Sequence, residues 1–172
     1  MIMDFPSRKP TRLKDYDYSA PGVYFITICV KDRRELLSNI TVGAGVLDGP
    51  HNILSNYGRI ANKYLINMSH FYDNIKIDKF VIMPNHIHMV IQITDTNNGP
   101  SGTPVPTNSL VSKFISTWKR FCNKEYGQNI WQRSYHDHII RGEKDYKKIW
   151  EYIDTNVIKW ETDCFYNGKM PQ

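Results

Sequence analysis

Cysteine is scarce in this chain: Cys29, Cys122 and Cys164 are the only three among 172 residues. They are odd in number, far apart and form no CxxC, which excludes a disulfide framework and a cysteine-built zinc ribbon and leaves them as thiols of a reducing compartment. Long apolar runs are also missing, and the mean hydropathy is −0.50, so no membrane span is expected. The start, MIMDFPSRKPTR, has charges but no apolar stretch behind them, so no secretory signal is expected either, and the compartment read from these absences is the cytoplasm. No internal repeat is present. Neither sign of charge is dominant: 22 Lys+Arg against 17 Asp+Glu give +5 and a pI near 9.0, a mild lean towards polyanions.

What is present suits one domain with a real core. Residues 1–21 carry Arg8, Lys9, Arg12 and Lys14 between Pro6 and Pro10, which disfavour a helix, and read as a basic amino-terminal arm suited to tracking a phosphate backbone or simply to solvation. The domain proper is 22–172. Its first segment, Gly22 to Lys31, is β-branched and aromatic on both faces and predicts a central strand. Residues 39–54, with several glycines and Pro50, predict a connection with room for a short strand or a hairpin. Ser55 then caps a helix whose apolar positions are Tyr57, Ile60, Ala61, Tyr64, Leu65 and Met68.

Further along, 74–83 predicts a strand, Pro84-Asn85 a turn, and 86–93 its hairpin partner. The stretch 95–108, DTNNGPSGTPVPTN, reads as a long loop. Ser109 to Tyr126 predicts a helix with Leu110, Phe114, Trp118 and Phe121 inward and Lys113, Lys119, Arg120 and Lys124 off that stripe. Ile130 to Arg141 predicts a strand and Glu143 to Trp160 the last long helix. The order strand, helix, strand, strand, helix, strand, helix predicts an α+β fold of the ferredoxin-like sandwich type, an antiparallel sheet with helices packed on one face and an added C-terminal helix.

The chemistry concentrates at His86 and His88. Alternation with Ile87, Met89 and Ile91 puts both imidazoles on one face of a strand, beside a turn, pre-aimed for a metal ion. From these residues alone a structural, hydrogen-bonded pair is equally open, and His136 with His138 repeats the spacing on the strand expected later. In the last helix Tyr146, Ile149, Ile153, Val157 and Trp160 form the expected core stripe. Beside it Lys148, Tyr152, Asn156 and Lys159 form a second row, with Tyr152 one turn before Asn156, offering a phenol and a neutral amide oxygen.

His86-Ile87-His88 resembles the HUH motif of single-tyrosine transposases. TRLKDYDYSAPGVYFITIC, VIMPNHIHMVI, WQRSYHDHIIR and EYIDTN resemble, in order, the blocks of the REP-associated tyrosine transposases, and together they span most of Lys9 to Asn156. The resemblance implies a divalent ion, Mg²⁺ or Mn²⁺, held by His86, His88 and Asn156. It implies Tyr152 as a nucleophile forming a 5′-phosphotyrosine, carried on the added C-terminal helix, and single-stranded DNA cut and rejoined near a hairpin. Ligand softness alone also permits zinc.

The resemblance selects His86 and His88 over the second pair, leaving His138 as a phosphate-contacting or ligand-supporting residue. Arg8, Lys9, Arg12, Lys14, Lys119, Arg120, Arg133, His138, Arg141 and Lys148 are the candidate DNA contacts. No small-molecule cofactor or membrane is implied, and a monomer is favoured over a homodimer. The family often has proline after the asparagine; Val157 stands there and predicts a helix running on to Trp160. A domesticated, non-catalytic nucleic-acid binder and a zinc-stabilised structural domain are the competing expectations.

Overall fold

The computed structural model describes residues 18–41, 49–94 and 109–166. Its frame is a four-stranded antiparallel sheet whose centre is the segment apolar on both faces, β1 (Gly22–Cys29). Around it lie β4 (Ile75–Ile82), β5 (His86–Ile93) and β6 (His136–Ile140), in the order β4-β5-β1-β6. This is the ferredoxin-like strand order expected from the alternation of elements. A separate two-stranded pair joins β2 (Ser38–Thr41) to β3 (His51–Leu54).

Side chains alternate across the sheet, so register decides which layer each one meets. Tyr24, Ile26, Ile28, Ile87, Met89 and Ile91 enter the main core with α1 (Asn56–Asn67) and α2 (Leu110–Tyr126). The opposite face presents Phe25 and Val90, which pack with Ile149 and Ile153 of α3 (Glu143–Thr155). Both helices of the main layer start at serine caps, Ser55 accepting from the Gly58 amide and Ser109 from the Ser112 amide. Trp118, fully buried, donates its indole N–H to the Ala61 carbonyl at 3.3 Å and ties α2 to α1.

Gly58 explains how closely α1 approaches the chain before it. A Cβ built there lies 2.0 Å from the Leu37 carbonyl oxygen, a backbone atom that cannot swing aside. Helix propensity favours alanine over glycine by about 1 kcal/mol, whereas forced overpacking costs typically about 1–3 kcal/mol and sometimes more. Steric repulsion wins. Gly58→Ala is expected to destabilise the fold by about 1–2 kcal/mol net, seen as a lower urea midpoint at unchanged m-value; an unchanged or higher midpoint would contradict this packing.

Two elements differ from their expected extent. The strand predicted over 130–141 is regular only at His136–Ile140, apart from one isolated pairing of Trp131 with Val30. The Lys119 ammonium takes the carbonyls of Gln132 and Ser134 at 2.7 and 3.0 Å, and Asn129 Oδ1 takes the Trp131 amide, so side chains claim the backbone groups that a ladder would use. The last helix ends at Thr155, not Trp160. Thr155 Oγ1 donates to the Glu151 carbonyl, a bond that competes with the helical ladder, and the chain then turns back on itself through a short 3₁₀ turn at Trp160–Thr162. Asn156 is accordingly buried where the expected stripe had Val157, which is half-buried.

Residues 1–17 of the expected arm and the loop 95–108 lie outside the described residues. Tyr18, at the end of that arm, is buried against the core, and Ser19 Oγ accepts the Leu110 amide at 3.0 Å. Among the described residues no helix is long and apolar enough to cross a membrane.

Candidate active site

Register builds the site. His86 stands opposite Cys29 and His88 opposite Thr27, both on the α3 face of the sheet, and both are fully buried. Asn85 fixes the first ring: its amide N–H₂ donates to the Arg33 carbonyl at 3.3 Å and the Phe165 carbonyl at 2.7 Å, which turns Oδ1 towards His86 Nδ1 at 2.8 Å. Because that oxygen can only accept, His86 carries its proton on Nδ1 and leaves a bare lone pair on Nε2. His88 is anchored by Thr27 Oγ1 at 2.8 Å from its Nδ1. The two Nε2 atoms consequently converge, 3.0 Å apart.

Burial, reinforced by the Arg33 charge, pushes the His86 pKa down to about 3, and burial followed by its neighbour His86 holds His88 well below the usual imidazole value. Both rings are neutral at physiological pH. Neutral imidazoles with anchored Nδ1 atoms and free, converging Nε2 atoms are the form in which histidine binds metal.

Three further side chains close the site. Tyr152, in the last turn of α3, places its hydroxyl 3.2 Å from His88 Nε2 and donates to Asp163 Oδ2 at 3.2 Å. Its ring meets Phe25 edge-on at 6.0 Å and remains 37% exposed, so the hydroxyl sits where buried imidazoles meet solvent. Burial first, and then the Asp163 charge, raise the phenol to about 12. Asn156, 2% exposed, donates Nδ2–H to Asp163 Oδ2 at 3.1 Å, while its Oδ1 is buried with no hydrogen-bond partner among the described residues. Asp163 Oδ1 accepts the Phe165 amide at 2.7 Å, and the Phe165 ring covers His86 at 4.5 Å between centroids.

Ligand atoms of His86, His88 and Asp163 all lie within 4.8 Å of one another. Two converging imidazole nitrogens, a carboxylate and an amide oxygen with no hydrogen-bond partner among the described residues are a donor set that fits a divalent cation. Asn85→Ala is expected to weaken divalent-ion affinity by about 10–100-fold, the usual effect of losing a residue that orients a ligating histidine. Calorimetric titration with Mn²⁺ checks this, and unchanged affinity would dissociate Asn85 from ion binding.

Of the residues singled out from sequence, His86, His88, Tyr152 and Asn156 come together. Asp163 was missed: it follows the point where the chain reverses, so no helical or strand period links it to Tyr152. Asn85 was read only as a turn residue. The second pair stays apart, both its histidines exposed on the edge strand β6, with His138 Nε2 bonded to Asp145 Oδ2 at 2.8 Å. Asp145 also accepts the amide of Arg141. Lys148 is exposed among Glu143, Lys144, Lys147 and Glu151 on α3. Lys119, Arg120 and Arg133 gather in a cavity between α2 and the loop at 129–134. Arg8, Lys9, Arg12 and Lys14 lie outside the described residues.

No protein-family model matches the chain. An uncharacterized protein of Haemophilus influenzae is 35% identical over 176 residues, covering 92% of this chain and 93% of that protein. A putative REP-associated tyrosine transposase of the same organism is 24% identical over 153 residues, covering 83% and 74%. Among solved structures, a REP-associated tyrosine transposase bound to a REP hairpin superposes with a TM-score of 0.59 at 20% identity, over 87% of this chain and 73% of that one, and bears out the fold. These relatives and the shared fold point to the transposase class. Within it, the named relatives to which the chain is similar are REP-associated tyrosine transposases.

Proposed function

We propose that this transposase cleaves single-stranded DNA near a hairpin through a covalent 5′-phosphotyrosine on Tyr152 and rejoins strands from that intermediate, with Mg²⁺ or Mn²⁺ bound beside it. The observation that carries the reading is the Tyr152 hydroxyl 3.2 Å from the converging histidine pair, at the edge of an otherwise buried site. His86 and His88 would hold the ion through Nε2 and Asn156 Oδ1 would supply the third donor, with Asp163 close enough to the histidines to add a carboxylate. Bound there, the ion neutralises charge on the scissile phosphate and orients it.

The chain's own residues carry the rest. Tyr152 is neutral before reaction, because its pKa is near 12, so its proton must leave as the oxygen attacks. Asp163 Oδ2, already accepting that O–H at 3.2 Å, is the base placed to take it when His88 Nε2 is engaged with the ion. Attack by Tyr152 on phosphorus forms the tyrosyl phosphoester and breaks the bond to the 3′ oxygen, which departs as a hydroxyl after taking a proton from solvent. The phosphoester keeps the bond available for joining, whereas attack by water would discard it. Hairpin DNA as substrate is supported by the likeness to the hairpin-bound relative. The reading takes the protein as a cytoplasmic monomer that needs no small-molecule cofactor.

The test uses foldback oligonucleotides from the DNA flanking the gene, labelled at either end and incubated with Mn²⁺ or Mg²⁺. A metal-dependent adduct that survives denaturation and carries the 5′ phosphate side is expected. DNA binding without an adduct, at confirmed ion occupancy, would instead assign the chain as a non-catalytic binder.

A further inference from the structure

A cavity of about 1310 Å³ opens between α2, the turn at Lys31–Arg33 and the loop at 129–134. Pockets that enclose one small ligand span roughly 300–1,000 Å³, so this space suits an extended occupant better. Five cations line it, Lys31, Arg33, Lys119, Arg120 and Arg133, against the single carboxylate of Asp32. They come from three separated stretches of chain, so folding assembles the cluster. Lys31, Arg120 and Arg133 are exposed and have no ion-pair partner among the described residues. Five cations gathered around one carboxylate repel one another, and a polyanion relieves that repulsion.

Two observations tie the cavity to the histidine pair. Arg33 lines it and also reaches the site, donating to the Cys164 carbonyl at 3.2 Å with its guanidinium 5.5 Å over the Phe165 ring that covers His86. On the opposite wall the Gln132 amide donates to the carbonyl of Cys29, the residue directly across the sheet from His86. The turn that presents these cations is also strained: Asp32 and Arg33 are consecutive non-glycine residues at φ 57° and 53°. Such conformations persist where the surrounding structure holds them, and they cluster at functional sites.

We infer that this cavity holds the phosphodiester backbone of the single-stranded segment leading to the bond cut at Tyr152, gripping it by charge and not by base sequence. The inference rests on the proposed DNA-cleaving function and adds where the unpaired strand runs. Trp131 is buried in the wall and the charged side chains supply the groups that reach solvent, so the grip is by charge and tolerant of sequence.

The test is fluorescence anisotropy on the full chain across a range of salt concentrations, with a hairpin alone and with the same hairpin bearing a single-stranded extension on either side. Lys31→Gln/Arg120→Gln/Arg133→Gln is expected to lose at least about tenfold in affinity for one extended hairpin, to bind the bare hairpin within about twofold of wild type, and to lower the salt slope by about 2, at about 0.7 per phosphate contact on single strands. Lys76→Gln/Lys144→Gln/Lys147→Gln removes equal charge elsewhere and is expected to leave the extension preference intact. Equal losses in both variants, or wild-type affinity in the first, overturn the cavity. Wild-type protein that gains nothing from an extension yet forms the adduct overturns the cavity alone. Extension-dependent binding lost in the cavity variant, without any adduct from wild type, upholds the cavity while the cleavage reading fails.

Discussion

Tyr152→Phe is expected to eliminate the denaturation-resistant protein–DNA adduct and to lower strand cleavage by at least about 10³-fold, the scale seen when a covalent nucleophile is removed. DNA affinity should change by less than about twofold, because the phenyl ring keeps its edge contact with Phe25 and its place in α3. The fold should be unaffected, since the hydroxyl lost is on a partly exposed side chain and bonds His88 and Asp163 at the rim of the site. Gel analysis under denaturing conditions with end-labelled foldback DNA gives the result directly. An adduct that persists at wild-type yield in the variant would remove Tyr152 from the chemistry, and with it the reading of this helix as the catalytic one.

His86→Ala is expected to abolish the stabilisation that divalent ions give the wild-type protein. An ion that binds only the folded state at a hundred times its Kd adds about 2.7 kcal/mol, which for a chain of this size corresponds to a Tm rise of roughly 5–10 °C. Losing one of two nitrogen donors should reduce ion affinity by more than about 100-fold, beyond the 10–100-fold typical of a supporting residue, so the variant's Tm should be insensitive to the same Mn²⁺ concentration. Without ion the variant is expected to stay folded but weakened by about 1–3 kcal/mol, because Asn85 Oδ1 is left buried without its donor. The same measurements separate this site from a structural zinc centre. Here the pair is held by the β1–β5 register and by Asn85 and Thr27, so ion-free wild type should melt cooperatively, whereas a zinc-stabilised domain would be unfolded without metal.

The tools of local reading reached far into this molecule where the governing interactions are themselves local. Period-2 alternation put His86 and His88 on one face of a strand, and the register sets them facing α3. Ser55 caps the helix expected to follow it, and the helix expected from Ser109 to Tyr126 runs over Leu110–Tyr126. Helical spacing put Tyr152 one turn before Asn156; Tyr152 reaches His88, and both bond Asp163 beside the histidine pair. The apolar character of both faces of β1 matched its place at the centre of a sheet covered on both sides.

Local reading failed where a side chain from elsewhere claims the backbone or where the chain reverses. Lys119 draws off the carbonyls that would have extended β6 back to Ile130, and no pattern within 130–141 announces a lysine on α2. The turn after Thr155 brings Asp163 back to Tyr152 and Asn156, which periodicity along one helix cannot encode. The two HxH pairs look alike in sequence, yet one is buried at the sheet centre and the other is exposed on the edge strand β6, bonded to Asp145.

The sequence by itself therefore determined most of the elements and which side chains share a strand face or a helix face, because alternation, capping and helical spacing act over a few residues, while the choice of His86, His88 and Tyr152 came from the resemblance to a known family. Tertiary structure alone decided that Asn156 Oδ1 is left without a partner, that Asp163 joins the site, and that cations from three distant stretches share one cavity. Those outcomes depend on which layer covers each face of the sheet and on where α3 stops, and both are set by packing between elements far apart in the chain.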